Sequence, residues 1–591
     1  CLVAREWYLP SHHCLCRHES LWNNQQIWVT TMNKFLKSLL ALATVGILLT
    51  TTACAQLPKN GEIKTGPNVE SGLETDYLYY SPSGPTDGDS PEEIVLGFLN
   101  AGTGPQNDYE VAKSYLGTSF KNQWDPNNEV LIQDGNPKVT LTLDGTASVV
   151  IPIAAKINAR GQYQSMPAGS TETIRIKLGK EAGQWRISSA PNLISVIRPV
   201  FDVVFKAYAL YFFDNQLKQL VPDVRWFPSR ASTSTRLVTA LLGGPSEWLS
   251  SAVRSAIPSG TKLSLSTVTV ADGIATVDLS SKALEANAAE RRMMQVQIRE
   301  TLIQLNSVYS VNVTVQRSSL EANSWSFPSV QNQIVTPVAL YENELVHLDS
   351  EGSIAIGGSK ALLSQLSAID FALNTDEKTV LVTTKDGVYQ TALGKIIQEP
   401  KLLVKGDGYL SPILDATGYA WVIPKSGNRE IMVFSPEGKR VPFSSGWLGE
   451  ADRISFSMSN EGSRIVVAAG TKENNHVYIA SVIRDKDGNP VRFGMPIKPV
   501  GQMAAQSVTW LDNIRIAVLG ENTDGYTQPI IAMVGGGTRS LTAIRDGVTV
   551  VGSGQAASVF ILDVGTAMYQ FRGSNWSLVA TAVQALHFPG N

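Results

Sequence analysis

Apolar residues along the chain follow two periods, and the element changes where the period changes. Ser90-Pro91-Glu92-Glu93 opens a helix: serine caps, proline fits the first turn, and two carboxylates meet the positive end of the helix dipole. Ile94, Val95, Phe98 and Leu99 then fall on one helical face, and a second short helix runs from Tyr109 to Gly117. Alternation takes over in Lys138-Val-Thr-Leu-Thr-Leu, Thr146-Ala-Ser-Val-Val-Ile, Thr171-Glu-Thr-Ile-Arg-Ile-Lys-Leu and Gln184-Trp-Arg-Ile. Residues 91–199 therefore read as an α+β domain, helices followed by a curved antiparallel sheet.

Residues 200–317 mix the two periods. A strand at Ala207–Phe213 precedes a helix at Ser234–Leu242 that Gly243-Gly244-Pro245 ends. Leu263–Val270 and Ile274–Leu279 form a hairpin across Ala271-Asp272-Gly273, a long helix spans Ala288–Leu305, and a strand at Ser310–Val315 closes the unit. Residues 318–591 are nearly all short strands. Strand starts recur at Leu366, Leu410, Ile454 and Gln506, intervals of 44, 44 and 52 residues, the period of a four-stranded propeller blade. The length allows six blades, and Ala585-Leu-His-Phe is expected to pair with strands at Pro337–Tyr341 and Leu345–Leu348, closing the ring and removing its open edges.

The amino-terminal region has a different pattern. Residues 1–31 hold three of the four cysteines, three of the six histidines and three of the twelve tryptophans, and read as a mis-called start before Met32. Cys14 and Cys16 beside His12, His13 and His18 leave a metal cluster open, although a second spaced ligand pair is missing. From Met32, Lys34 and Lys37 precede an apolar run of 11 residues, Leu39–Leu49. At 1.5 Å per residue that run spans about 17 Å, too short for a bilayer core of about 30 Å, so residues 32–53 read as a cleaved export signal. Thr51-Thr52-Ala53-Cys54 resembles a bacterial lipobox, with Thr51 where leucine is usual. That resemblance implies cleavage between Ala53 and Cys54, a diacylglycerol thioether on the Cys54 sulfur and an acyl chain such as palmitate on its nitrogen. Cys54 has no later cysteine to pair with. Residues 54–90, rich in Gly and Pro, read as anchor and tether.

Charge adds an exclusion. The formal net charge is −3, and the part from Cys54 onward carries 45 basic against 50 acidic residues. Nucleic acid is an unsuited partner, and the expected membrane attachment is through acyl chains and not through a basic face. Candidate chemistry is sparse. His347, His476 and His587 each sit inside a strand pattern, which favours structural roles over catalytic or ligand ones. Asp485-Lys-Asp487-Gly-Asn489 resembles half a calcium loop but lacks the later glycine and glutamate, so it reads as a hairpin turn. Gly535-Gly536-Gly537 reads as a blade turn, Gly552-Ser553-Gly554 lacks the spacing of a nucleophile elbow, and Asp370 and Asp415 read as turn caps, with a glycosidase propeller left open. Arg291-Arg292, with Glu285 and Glu290, reads as the solvated side of a helix. No catalytic residue, metal site or cofactor follows from these patterns.

The ending Gly-Gln184-Trp-Arg-Ile is reminiscent of cone-shaped NTF2-like domains. Val221-Pro-Asp-Val-Arg-Trp-Phe-Pro, Thr235-Arg-Leu-Val-Thr-Ala-Leu-Leu-Gly-Gly-Pro-Ser, Ala271-Asp-Gly-Ile-Ala-Thr-Val-Asp-Leu-Ser and Gln295-Val-Gln-Ile-Arg-Glu-Thr-Leu resemble a GerMN domain, a module shared with germination and sporulation proteins. Preceded by Ser90-Pro-Glu-Glu-Ile-Val-Leu-Gly-Phe-Leu and followed by a propeller, the chain from Cys54 resembles the LpqB family of actinobacterial lipoproteins. The resemblance implies a non-enzymatic accessory of the Mtr two-component system that contacts the extracellular part of the sensor histidine kinase and influences cell-wall homeostasis and division. Two alternatives stay open: a carbohydrate-active propeller enzyme of the envelope, and a peptidoglycan-binding scaffold acting through the GerMN domain.

Overall fold

The computed structural model describes residues 82–590, except residue 231 and the segments 321–335, 350–351, 395–398, 472–473, 502–503, 522–525 and 555–557. The expected export signal, Ala53 and Cys54 lie outside the described residues, as do the cysteines and histidines of the first 31 residues.

Helix α1 (Pro91–Ala101) starts as its sequence dictates: the Ser90 hydroxyl accepts from the Glu93 N–H at 3.3 Å, and the Glu93 carboxylate accepts from the Ser90 N–H at 2.7 Å. Its apolar face and the short α2 (Glu110–Ser114) share a core with one side of a seven-stranded sheet. The strands are β1 (Glu129–Gln133), β2 (Lys138–Leu141), β3 (Thr146–Asn158), β4 (Tyr163–Ser165), β5 (Thr171–Glu181), β6 (Gln184–Ser189) and β7 (Ile194–Ile197). Buried and less buried residues alternate along all of β3 up to Ile157, which makes it the spine. The sheet is not wholly antiparallel, because the chain crosses from β6 to the far edge and lays β7 parallel to β1.

Helix α3 (Arg198–Val204) leads straight into the second domain, with no flexible linker between. There β8 (Phe205–Asp214) and β9 (Leu220–Pro228) pair over nine positions, with β10 (Val253–Arg254) on the other side of β8. A second sheet orders β11 (Thr269–Ala271), β12 (Ile274–Leu279), β13 (Ser310–Val315) and β14 (Ser318–Ser319). Between the sheets pack α4 (Thr233–Leu242) and α5 (Ala288–Leu302), the latter opened by an Asn287–Glu290 capping box. The strand expected from Leu263 shrinks to β11, and Leu263 keeps only an isolated antiparallel bridge to Leu279, with the Ser264 N–H donating to the Asp278 carbonyl at 2.8 Å.

From Val338 onward the described residues form six sheets, five of four strands and one of five. Their inner strands are Val583–His587, Asp370–Leu373, Ile413–Leu414, Arg453–Met458, Ala505–Trp510 and Gly547–Gly552, taken from blade 1 to blade 6. Blade 1 is composite: Val583–His587 pairs antiparallel with Val338–Tyr341, Ala585 facing Leu340 and His587 facing Val338. Two strand starts shift from their expected places. Leu366 ends helix α6 (Ser359–Leu366), which Gly358 and Ser367 bound with left-handed backbone, and the inner strand begins four residues later at Asp370. In blade 3 the strand begins at Ile413 and not at Leu410, since Pro412 has no N–H for a ladder.

Candidate functional site: the junction of three domains

The polar residues singled out from sequence are mostly spent on holding blades together. His587 Nε2 lies 2.7 Å from Asp370 Oδ1, and His347 Nε2 lies 2.8 Å from Glu377 Oε1. Both histidines face Val338 from its flanking strands, so blade 1 grips blade 2 with a pair of imidazoles. The Ser411 hydroxyl donates to Asp370 Oδ2 at 2.6 Å. Serine, acid and histidine are thus together, but the acid stands in the middle; a nucleophile would need its hydroxyl on the imidazole. Asp370 is accordingly a clasp across blades 1, 2 and 3 and not the turn cap its position suggested. Burial pushes its carboxyl up, yet His587, Ser411 and the Phe371 N–H together hold it below the usual carboxylate value.

Asp415 does cap its turn, accepting from the Thr417 and Tyr419 N–H groups, and its second oxygen takes Trp421 Nε1 at 2.9 Å and the Arg484 guanidinium at 2.7 Å. His476 lies edge-on to Tyr478, with centroids 6.0 Å apart. Asp485 Oδ1 accepts from the Asp487 and Asn489 N–H groups, an Asx turn. Ser553 is buried, and its N–H donates to the Ser558 carbonyl. Glu290 completes the α5 cap, while Arg291 donates to the Ala286 and Leu284 carbonyls. Among the described residues no group of three or more His, Cys, Asp or Glu is placed to hold a metal ion.

Gly535-Gly536-Gly537 is a blade turn, between the strands Tyr526–Met533 and Thr538–Ser540, and it has a second use. A Cβ on Gly535 would lie 2.7 Å from Val224, and one on Gly536, where φ is +99°, would lie 2.0 Å from Tyr163. Glycine is required here by close approach as well as by backbone angle. The Trp226 indole donates to the Gly535 carbonyl at 2.8 Å, and the Trp226 N–H donates to the Gly161 carbonyl at 2.7 Å. One tryptophan therefore joins the turn after β3, strand β9 and blade 5. Tyr163 and Phe201 pack on it, with centroids 6.0 and 5.0 Å away.

Around this point charges are buried. Asp223 and Arg225, each almost fully buried, pair at 2.8 Å, and the Ser246 hydroxyl bridges them. Burial pushes Asp223 up and Arg225 down from their ordinary values, against the pull of each on the other. Arg464 of blade 4 is fully buried, bonded to Glu461 at 2.6 Å and stacked over Trp510 at 4.5 Å; it donates to the Pro222 carbonyl at 3.4 Å. Every residue of β9 is buried, although it pairs with a strand on one side only, because the Gly161 turn of the first domain and blades 4 and 5 cover its other edge.

Beside the junction, between the second domain and blade 4, lies a cleft of about 440 Å³ lined by Glu247, Trp248, Ser251, Ile483, Arg492, Gly494 and Met495. Its walls are tied together by the Ser481 hydroxyl, which donates to the Trp248 carbonyl, and Trp447 Nε1 braces the propeller wall by donating to the Gly494 carbonyl, each at 2.9 Å. Met495 is 73% exposed, and Glu247 and Arg492 make no ion pair among the described residues. Nothing in the sequence pattern marked this cleft, since its two walls are more than 230 residues apart along the chain.

The comparisons with known proteins follow the same three-part order. The amino-terminal domain of lipoprotein LpqB matches residues 84–202, a domain described as "sporulation and spore germination" matches 209–321, and the LpqB β-propeller domain matches 344–589. A Lipoprotein LpqB of Bifidobacterium longum is 29% identical over 471 residues, covering 75% of this chain and 78% of that protein. One of Cutibacterium acnes is 25% identical over 548 residues, covering 85% and 89%. Among solved structures, the first GerMN domain of the sporulation protein GerM from Bacillus subtilis is 24% identical, covers 22% of this chain and 93% of its own, and has a TM-score of 0.17. With all three domains matched in sequence order, the chain belongs to the LpqB family.

Proposed function

We propose that the protein is a non-enzymatic accessory lipoprotein, held at the extracytoplasmic face of the cell membrane by acyl chains on Cys54, that binds the extracellular part of the Mtr sensor histidine kinase and modulates cell-wall and division signalling. Relatives named as lipoproteins support the anchoring, and among the described residues no helix is long and apolar enough to cross a membrane. The observation that carries the binding reading is the cleft: Trp, Met and Arg are residue types enriched at protein interfaces, and here they meet where two domains are locked together. The notable acids and histidines of the propeller support it too, since Asp370, Asp415, His347 and His587 are occupied between blades.

The test is a photo-crosslinking residue in place of Met495 in living cells, followed by mass spectrometry. Recovery of the kinase is expected; recovery of wall fragments alone would transfer the role to peptidoglycan binding. Anchoring is tested separately: Cys54→Ala is expected to leave an unprocessed chain without acyl mass. A variant still processed and acylated would sink that part.

A further inference from the structure

The hairpin of β2 and β3 carries the most exposed large apolar residue described in the chain. Leu143, at its tip, is fully exposed, while Leu141, 43% exposed, lies across from Ala147 on the α1 side of the sheet. The strand register then assembles a face that the sequence scatters. Lys138 lies across from Val150 and Thr173, Thr140 across from Ser148 and Arg175, and Thr146 across from Lys177. These side chains share the side of the sheet away from the α1 core, where Lys138, Arg175 and Lys177 are exposed and make no ion pair among the described residues.

The neighbouring acids are engaged elsewhere. Glu172, one position off this face, is paired with Lys156 at 2.7 Å. Asp144 is the counter-charge at the tip, and its oxygens accept from the Thr142 and Thr146 hydroxyls and the Thr146 N–H, which hold its carboxyl below the usual value. In a chain with more acidic than basic residues, three free cations on one face beside an unpartnered apolar tip form a local exception.

We infer that this hairpin and its basic sheet face dock on an anionic lipid bilayer, Leu143 at the tip entering the headgroup boundary while Lys138, Arg175 and Lys177 meet lipid phosphates. Basic residues near an anionic surface attract it, and apolar side chains add burial. The inference rests on the anchoring reading only for the bilayer's proximity: Pro82 is 28 residues beyond Cys54, and an extended chain of that length reaches about 90–100 Å. Acyl chains would hold the protein to the membrane, and this face would set how the first domain lies on it.

The test uses the full chain with Cys54→Ser, so that no acyl chain contributes, and vesicles of phosphatidylcholine alone or mixed with phosphatidylglycerol. Against this parent are compared Lys138→Gln/Arg175→Gln/Lys177→Gln and, independently, Leu143→Ser; both change exposed positions, and thermal melts check that each folds. Sedimentation with anionic vesicles is expected to weaken roughly 100-fold in the first variant and roughly tenfold in the second. The parent's excess over the first variant should disappear on neutral vesicles and in high salt. Any apolar segment upstream is common to all three chains and cancels. Equal sedimentation of parent and both variants would overturn the inference. The acyl mass on wild-type Cys54 is measured separately, so a failed anchor and a failed docking face give different results.

Discussion

Asp370 faces His587 with one oxygen and takes the Ser411 hydroxyl with the other, and its charge state decides both contacts. Its carboxyl lies below the ordinary value of 3.8 in the folded chain, so the stability it contributes is complete above about pH 4 and is lost as the pH falls through the lower folded value. Asp370→Asn should lower the melting temperature at pH 6 and flatten its decline between pH 5 and pH 2; melts in that range check this, and curves parallel to wild type would contradict it. Asp223→Ala is expected to cost about 3–5 kcal/mol in denaturant unfolding, since it leaves Arg225 buried without its counter-charge. Trp226→Phe keeps most of the packing but leaves the Gly535 carbonyl without its donor, and should cost about 1–3 kcal/mol.

At the scale of elements, β9 is the instructive case. A chain ending at residue 320 would uncover the part of its outer edge at Pro222 and Val224 that blades 4 and 5 cover, and is expected to self-associate in analytical ultracentrifugation; Val224→Lys should restore the monomer. Much of the element order is legible from residue spacing. The α1 cap, the long α5 helix and the pairing of Ala585 with the start of the propeller follow from composition and period, because each is decided by local chemistry or by a repeat. What is not legible is decided between distant segments. Val221–Pro228 matches a domain motif without revealing that another domain covers it. Asp370 looks like a turn residue because its partner is 217 positions away. Net charge hides the basic face on β2 and β5, because it sums over the chain and cannot see that Lys138, Arg175 and Lys177 fall on one side of one sheet.

At the scale of the whole molecule, the buried polar bonds between domains make separate unfolding of each domain costly. Gly536→Val should therefore disturb more than one blade: it introduces a side chain where a Cβ alone would lie 2.0 Å from Tyr163, and is expected to lower the melting temperature of the first and last domains together. Calorimetry with fluorescence at separate sites checks this, and a shift confined to the propeller would contradict it. The composite first blade has a further consequence, for the timing of folding. Val338 pairs with His587, 249 residues later, so the ring cannot close until that whole length is free to meet itself. On the proposed extracytoplasmic placement this would act as a built-in delay: the propeller would stay threadable during translocation and become a closed ring only on the far side.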